Sequence, residues 1–369
     1  MLIFYSYTID FLLGKDIIIM LLSEKRKMII MSFAAIILAI KNFSHSIVAV
    51  VCLLPIMLTM GADDAPGTEV IINENAENSY INEYGNPDVS AHRSGAGVAP
   101  QNTIMAFEKM LENVDEFGVD TFEFDVQLTA DGELILLHDL TFDATSDAVE
   151  KYGRKNIYAS QLTYDEAYEL NLGENFKLNG EYPYRGLRGD DIPDNLRVAK
   201  CEDIFELIES NSNGVEYRYI IEIKSMGKQG KQAADKLYQI VTERGLQDRV
   251  IWATFQPDVA DYMRKTYPDM PRSADVIEVI QFYVYSRMGW DLDSLDVSYV
   301  ALQIPYGESA LNLINTGTKA FINYAHKYDI AVQYWTINDA EAAQYLINNG
   351  ADTIMSDYPD MILDLVEAA

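Results

Sequence analysis

Thr121-Phe122-Glu123-Phe124-Asp125-Val126-Gln127-Leu128 is the stretch whose reading decides the fold. Side chains alternate along a strand, so Glu123, Asp125 and Gln127 share one face and Phe122, Phe124 and Val126 the other. Two acids on the inward face of a buried barrel strand are costly without a countercharge. A metal cation supplies one, and carboxylate oxygens are the ligands that Mg2+ and Ca2+ prefer.

Outward from this strand, short strand-like runs alternate with amphipathic helical stretches. Further strand candidates are residues 89–92, 134–138, 219–224, 250–254, 299–304, 330–336 and 352–356, with a weaker one at 272–276. Helices are predicted over 103–116, 232–244, 257–265, 318–327 and 340–349. Such alternation argues for an α/β fold with parallel strands. About eight such units fit a (β/α)8 TIM barrel. One of the nine strand candidates is then a loop or an extension. A doubly wound sheet is the alternative, but no Gly-rich nucleotide loop follows the first strand. Residues 141–200 form the longest irregular stretch, far beyond an ordinary loop of about 4–6 residues. They are expected to cover the barrel mouth and shape access to it, with a short helix of their own at 163–170.

The chain has 369 residues, 49% of them hydrophobic and 23% charged, as in a globular protein. A net charge of -29 argues against nucleic acid and anionic lipid surfaces as partners, because phosphate repels it. Of two cysteines, Cys52 falls in an apolar N-terminal segment, which leaves Cys201 alone and no intramolecular disulfide expected. In that segment the basic cluster Lys25-Arg26-Lys27 precedes apolar runs at 28–40 and 47–60. Neither run reaches the roughly 18–20 residues that span a bilayer. Residues 1–62 therefore read as a signal peptide or a membrane anchor. Either places the protein in a secreted or extracytoplasmic, or membrane-anchored, location, with membrane association through this segment. Residues 63–87 are polar and acidic and read as a flexible linker. The folded catalytic domain is expected over 88–369.

The candidate site comes from residues at strand ends. His92 closes the first strand and His138 the third, and in an α/β barrel the C-terminal strand ends form the active face. Two histidines can divide general acid and general base work, and sequence does not say which does which. Glu222 lies in Tyr219-Ile220-Ile221-Glu222-Ile223-Lys224, again an acid among apolar strand residues. Lys224 shares its face and can pair with Glu222 or contact phosphate. Arg93 offers a planar fork for phosphate oxygens. Together these are the parts needed to cleave a phosphate ester. His45 and His326 read as non-catalytic.

The motifs resemble those of the glycerophosphodiester phosphodiesterases. That family's His-Arg-Gly and Pro-Glu-Asn-Thr correspond to His92-Arg93-Ser94-Gly95 and Pro100-Gln101-Asn102-Thr103. Its Glu-x-Asp-Val, His-Asp and Glu-x-Lys correspond to Glu123–Val126, His138-Asp139 and Glu222-Ile223-Lys224. Trp335-Thr336-Ile337-Asn338 and Ser356-Asp357-Tyr358-Pro359 are similar to its C-terminal motifs. The resemblance implies a TIM barrel that cleaves glycerophosphodiesters to glycerol 3-phosphate and an alcohol. By it, Glu123, Asp125 and Glu222 hold one divalent cation, Ca2+ or Mg2+. His92 and His138 are the acid–base pair, Arg93 and Lys224 hold the phosphate, and Trp335 packs on the alcohol. Two departures stand out: Ser94 replaces a glycine, which bears on the turn that aims Arg93, and Gln101 replaces a glutamate. The alternatives are a phospholipase D-like enzyme acting on lysophospholipids or sphingomyelin, and a catalytically inactive phosphodiester-binding protein.

Overall fold

In the computed structural model the strands are β1 (Asp88–Ala91), β2 (Thr121–Leu128), β3 (Leu134–Leu136), β4 (Arg218–Ile223), β5 (Val250–Ala253), β6 (Ala301–Pro305), β7 (Ala331–Trp335) and β8 (Thr353–Ser356). The structure describes residues 64–65, 67–73, 76–295, 297–306 and 315–368. The signal or anchor expected over 1–62 lies outside them, and among the described residues no helix is long and apolar enough to cross a membrane.

Seven strands pair in parallel in the order β5-β4-β2-β1-β8-β7-β6. Residues 272 and 273 close the circle. Arg272 pairs with Trp252 and Ser273 with Ala301, both in parallel. Ser273 N donates to Trp252 O at 3.1 Å, and Val300 N donates to Arg272 O at 3.0 Å. The weak candidate at 272–276 is thus a true barrel position. The surplus candidate is β3, which runs antiparallel to β2, with Val126 opposite Leu136. The architecture is the (β/α)8 TIM barrel expected from the alternation. Arg272 is clamped where the strand is shortest: its two terminal nitrogens each lie 2.7 Å from a Glu278 oxygen.

The helices are α1 (Ile104–Glu112), α2 (Val114–Phe117), α3 (Ala148–Tyr152), α4 (Tyr164–Tyr168), α5 (Cys201–Ser210), α6 (Gly227–Glu243), α7 (Pro257–Thr266), α8 (Val276–Met288), α9 (Lys319–Lys327), α10 (Ala340–Asn349) and α11 (Pro359–Glu367). Side-chain caps start several of them: Thr103 for α1, Asp275 for α8, Thr318 for α9 and Asp339 for α10. The outward face of β2 does what its sequence requires. Phe122 and Phe124 are fully buried with their rings 5.5 and 5.7 Å from Phe107, and Phe205 packs edge-on against Phe124. Burying each such ring is worth roughly 1.5–3 kcal/mol.

Inside the barrel the side chains stack in layers. Tyr80, Ile220, Ile251, Ala301, Ala331 and Met355 make an apolar floor. Gln303 Nε2 donates to Gln333 Oε1 at 2.9 Å, and Gln333 Nε2 donates to Thr353 Oγ1 at 3.2 Å, so polar groups also pair inside the barrel. Glu123 stands opposite Ile220 in the β2–β4 register, and Asp125 stands opposite Glu222 two residues on.

Tyr80 corrects the reading of 63–87 as a flexible linker. Polar composition suggested a solvated chain, but among the described residues several polar groups bind the barrel. Asp64 takes the Lys319 and Ala320 amides, Asn73 donates to His326 O, and Asn78 donates to Val300 O and Asp329 O. Asn82 binds Asp352 and Asp88. Tyr80 itself is 5% exposed and plugs the floor. Residues 141–200 build a second small core around Phe142, Ile157, Leu162, Leu170 and Val198. Their predicted helix is α4, opened by a capping box between Thr163 and Glu166. Cys201 is a buried free thiol.

Candidate active site

A tight turn after β1 sets the site. Arg93, Ser94 and Gly95 have φ of 48°, 62° and 85°. Three successive left-handed residues swing the Arg93 amide onto Glu123, Oε2 accepting at 2.6 Å. The serine at the family's glycine position therefore keeps the glycine-like conformation. The Arg93 side chain reaches Gln101, Nη1 donating to Oε1 at 2.7 Å, while its Nε stays 3.8 Å from Asp125 Oδ2.

His92 is oriented from the far side of the barrel seam. Its Nδ1 lies 2.6 Å from Asp357 Oδ1, just beyond β8, and Asn338 Nδ2 donates to the other Asp357 oxygen at 2.7 Å. The His92 Nε2 faces Thr336 Oγ1 at 3.4 Å. Burial disfavours the imidazolium, but the hydrogen bond to Asp357 and the charge of Glu123 outweigh it and raise the His92 pKa. Asp357, in turn, is held below the usual carboxylate range: burial opposes its charge and His92 prevails.

His138 stands differently from the sequence argument. It does not end a parallel barrel strand, because β3 is antiparallel. Instead β3 returns the chain to the level of Asp125, whose carbonyl accepts from Leu137 N at 3.0 Å. Gln127 Nε2 then pins the following loop through Leu137 O and Asp139 O, and His138 Nδ1 lies 2.8 Å from Asp139 Oδ1. Burial lowers the His138 pKa, and Lys224 and Arg93 add to that, against the pull of Asp125.

Asp125 is the hub of the acids. It lies 3.1 Å from Lys224 Nζ and accepts from Asn102 Nδ2 at 2.9 Å. Burial works against its charge, but Lys224, His138 and Arg93 overcome this and lower its pKa. Glu222 pairs with Lys224 at 2.7 Å. Burial pushes Glu123 up to about 7, with the charge of Asp125 adding to it.

Among the described residues, no three acidic, histidine or cysteine side chains converge as a ready metal cage. The Lys224 ammonium lies between Asp125 and Glu222, and Glu123 is turned to the Arg93 amide. The donor chemistry nonetheless suits a hard cation. Glu123 and Asp125 are buried and Glu222 half-buried at one mouth, and carboxylate oxygens are the donors that Mg2+ and Ca2+ prefer.

His92 and Arg93 open onto a cleft of about 530 Å³. Its walls include Gln101, Thr336, Asn338, Asp357 and Tyr358 on the barrel rim and Thr145, Leu172, Asn175, Phe176 and Lys177 of the long insertion. The insertion thus supplies one wall of this cleft. Trp335 does not line this cleft; its ring packs edge-on against Phe255 at 5.9 Å. His326, 2.8 Å from Asp352, is a buried structural group. Sequence reasoning did not single out Asp357, Asn338 or Asn102 as site groups. All three sit in quoted motifs; for Asn338 and Asp357 an amide or acid just past a strand end was the available signal, while Asn102 lies in the loop before α1.

A TIM barrel whose mouth gathers two histidines, an arginine, a lysine and buried carboxylates has the equipment of a phosphoryl-transfer hydrolase. Residues 92–361 match the model of the glycerophosphoryl diester phosphodiesterase family. The chain belongs to that family, whose members are phosphoric diester hydrolases. It is 26% identical over 281 residues to a glycerophosphodiester phosphodiesterase of Caldanaerobacter subterraneus subsp. tengcongensis, covering 75% of this chain and 97% of the relative. Among solved structures it shares the fold of a putative glycerophosphoryl diester phosphodiesterase from Silicibacter pomeroyi, with TM-score 0.58 at 20% identity over 78% of this chain and 96% of that one. It also shares the fold of an Oleispira antarctica phosphodiesterase solved with the product sn-glycerol-3-phosphate, with TM-score 0.56 at 20% identity over 76% and 97%.

Proposed function

We propose that this protein hydrolyses glycerophosphodiesters to glycerol 3-phosphate and an alcohol, using His92 and His138 as the acid–base pair. The observation that carries the reading is the turn at 92–95, which places the His92 imidazole and the Arg93 guanidinium together on the cleft. Asp357 holds the proton of His92 on Nδ1 and favours the imidazolium, so Nε2 can deliver a proton to the departing alcohol oxygen. His138, kept neutral by burial beside Lys224 and Arg93, accepts the proton of the attacking hydroxyl. That hydroxyl belongs to water or to the neighbouring carbon of the glycerol. In the second case a cyclic phosphate forms and water then opens it, returning the proton balance to its start.

Arg93 binds nonbridging phosphate oxygens, braced by a neutral partner in Gln101 so that its charge remains for the substrate. Glu123, Asp125 and Glu222 are the residues that would hold one divalent cation, Ca2+ or Mg2+. Such a cation supplies charge stabilisation for the transferred phosphoryl group. Lys224 balances Asp125 and Glu222 and would turn toward phosphate when these acids bind the cation. The test is turnover of glycerophosphocholine by the full chain with Ca2+, with Mg2+ and with EDTA. Release of glycerol 3-phosphate that EDTA abolishes supports the reading. Turnover untouched by EDTA refutes the cation. Absence of turnover in every condition refutes the diesterase activity and leaves the phosphodiester-binding alternative.

A further inference from the structure

The chain is strongly acidic, yet the cleft beside His92 is lined by cations. Arg93 and Lys177 face it, and its one carboxylate, Asp357, is already engaged by His92 and Asn338. The wall opposite the barrel is firmly built. Asn175 Nδ2 donates to Ala144 O at 3.0 Å, and Ser146 Oγ donates to Phe142 O at 2.7 Å while accepting from Ala148 N at 3.1 Å. This bracing holds Thr145 in the cleft wall, with its Oγ1 enclosed just behind the surface and without a hydrogen-bond partner among the described residues, so that a turn of the side chain presents the hydroxyl. A buried hydroxyl left unpaired is costly and is satisfied by a ligand that reaches it. Two residues beyond Asn175, Lys177 has no hydrogen bond or ion pair among the described residues; its ammonium only approaches the Tyr182 ring, at 5.9 Å.

We propose that Thr145 and Lys177 form a subsite for the alcohol half of the substrate, and that this half carries a second anionic group. The proposal rests on the diesterase reading above. The scissile phosphate takes Arg93, and a cleft of about 530 Å³ leaves room for a polar alcohol to extend toward the insertion. There Thr145 meets a hydroxyl and Lys177 meets a carboxylate or phosphate. A cationic alcohol would find an unpaired ammonium and no free acid on the same wall. One charge-assisted hydrogen bond of roughly 1.5 kcal/mol corresponds to about a tenfold preference.

The test compares two substrates that differ only in the far anion, glycerophosphoglycerol and glycerophosphoglycerol bearing a terminal phosphate. With the full chain, kcat/KM is expected to favour the terminal phosphate about tenfold. Lys177→Ala should bring the ratio near one, Lys177→Glu should invert it, and Lys177→Arg should keep it. Because Lys177 is exposed, these variants keep the fold. Turnover of both diesters without preference, or a ratio unmoved by Lys177→Glu, overturns the subsite alone. No turnover of either overturns the diesterase reading and the subsite with it.

Discussion

Ser94 occupies a position that suits glycine, and Ser94→Gly should make the protein more stable. Ser94 has φ of 62°, a conformation that costs a residue with a Cβ roughly 1–2 kcal/mol. Its Oγ is buried without a partner among the described residues, a burden of about 1–3 kcal/mol. Glycine relieves both. Against this, the unfolded chain gains freedom worth about 0.4–1 kcal/mol, and one buried carbon is lost, about 0.8 kcal/mol. The balance is a stabilisation of about 2 kcal/mol. For some 300 ordered residues, at about 2.1 cal/mol/K each on unfolding, Tm should rise by about 3 °C. Urea unfolding followed by tryptophan fluorescence, with thermal scans alongside, measures it. A variant less stable than the wild type by 1 kcal/mol or more would refute the reasoning, and would mean that Ser94 Oγ has a strong partner in solution.

Other consequences follow from the same geometry. Asp357→Asn weakens the hydrogen bond that, with the charge of Glu123, raises the His92 pKa. If His92 must be protonated to act, the alkaline limb of the pH profile of kcat/KM should move to lower pH; an unmoved limb would detach Asp357 from the acid. Arg272→Ala removes the two-point partner of the buried Glu278 carboxylate and leaves it the Asp275 amide and Arg264 at 3.7 Å, so urea unfolding should show a loss of about 3 kcal/mol, at the low end for a broken buried pair; a loss under 1 kcal/mol would mean the pair carries little. Tyr80→Ala should cost about 3 kcal/mol by the same assay, because the ring fills the barrel floor; an unchanged midpoint would restore the reading of 63–87 as a free linker.

How much was legible in the sequence depended on whether a signal was local. The alternation in β2 is local, and it gave both the outer aromatic face and the inner acids. The closing strand at 272–273 pairs over so few residues that its pattern is nearly absent, and β3 looks like any barrel strand because alternation carries no direction. That is why His138 reached the mouth by a route the sequence did not disclose. The segment before β1 was misread because Asp64, Asn73, Asn78 and Asn82 look solvated until their distant partners are known. The motif residues His92, Arg93, Glu123, Asp125, Glu222, Lys224 and His138 do gather at one mouth. The pairing of Lys224 with Glu222 was legible from their shared face, two residues apart; that Lys224 also reaches Asp125, and that Asp357 holds His92, was not, because those partners are far apart in the chain.

The central claim is that His92 and His138 together move the protons of diester cleavage. It is tested most directly by kcat/KM for glycerophosphocholine, with glycerol 3-phosphate as the product followed, in the wild type, His92→Ala and His138→Ala. Each substitution should lower kcat/KM by about 10²–10⁴, with urea midpoints showing both variants folded. Turnover within a few-fold of wild type in either folded variant would contradict the account.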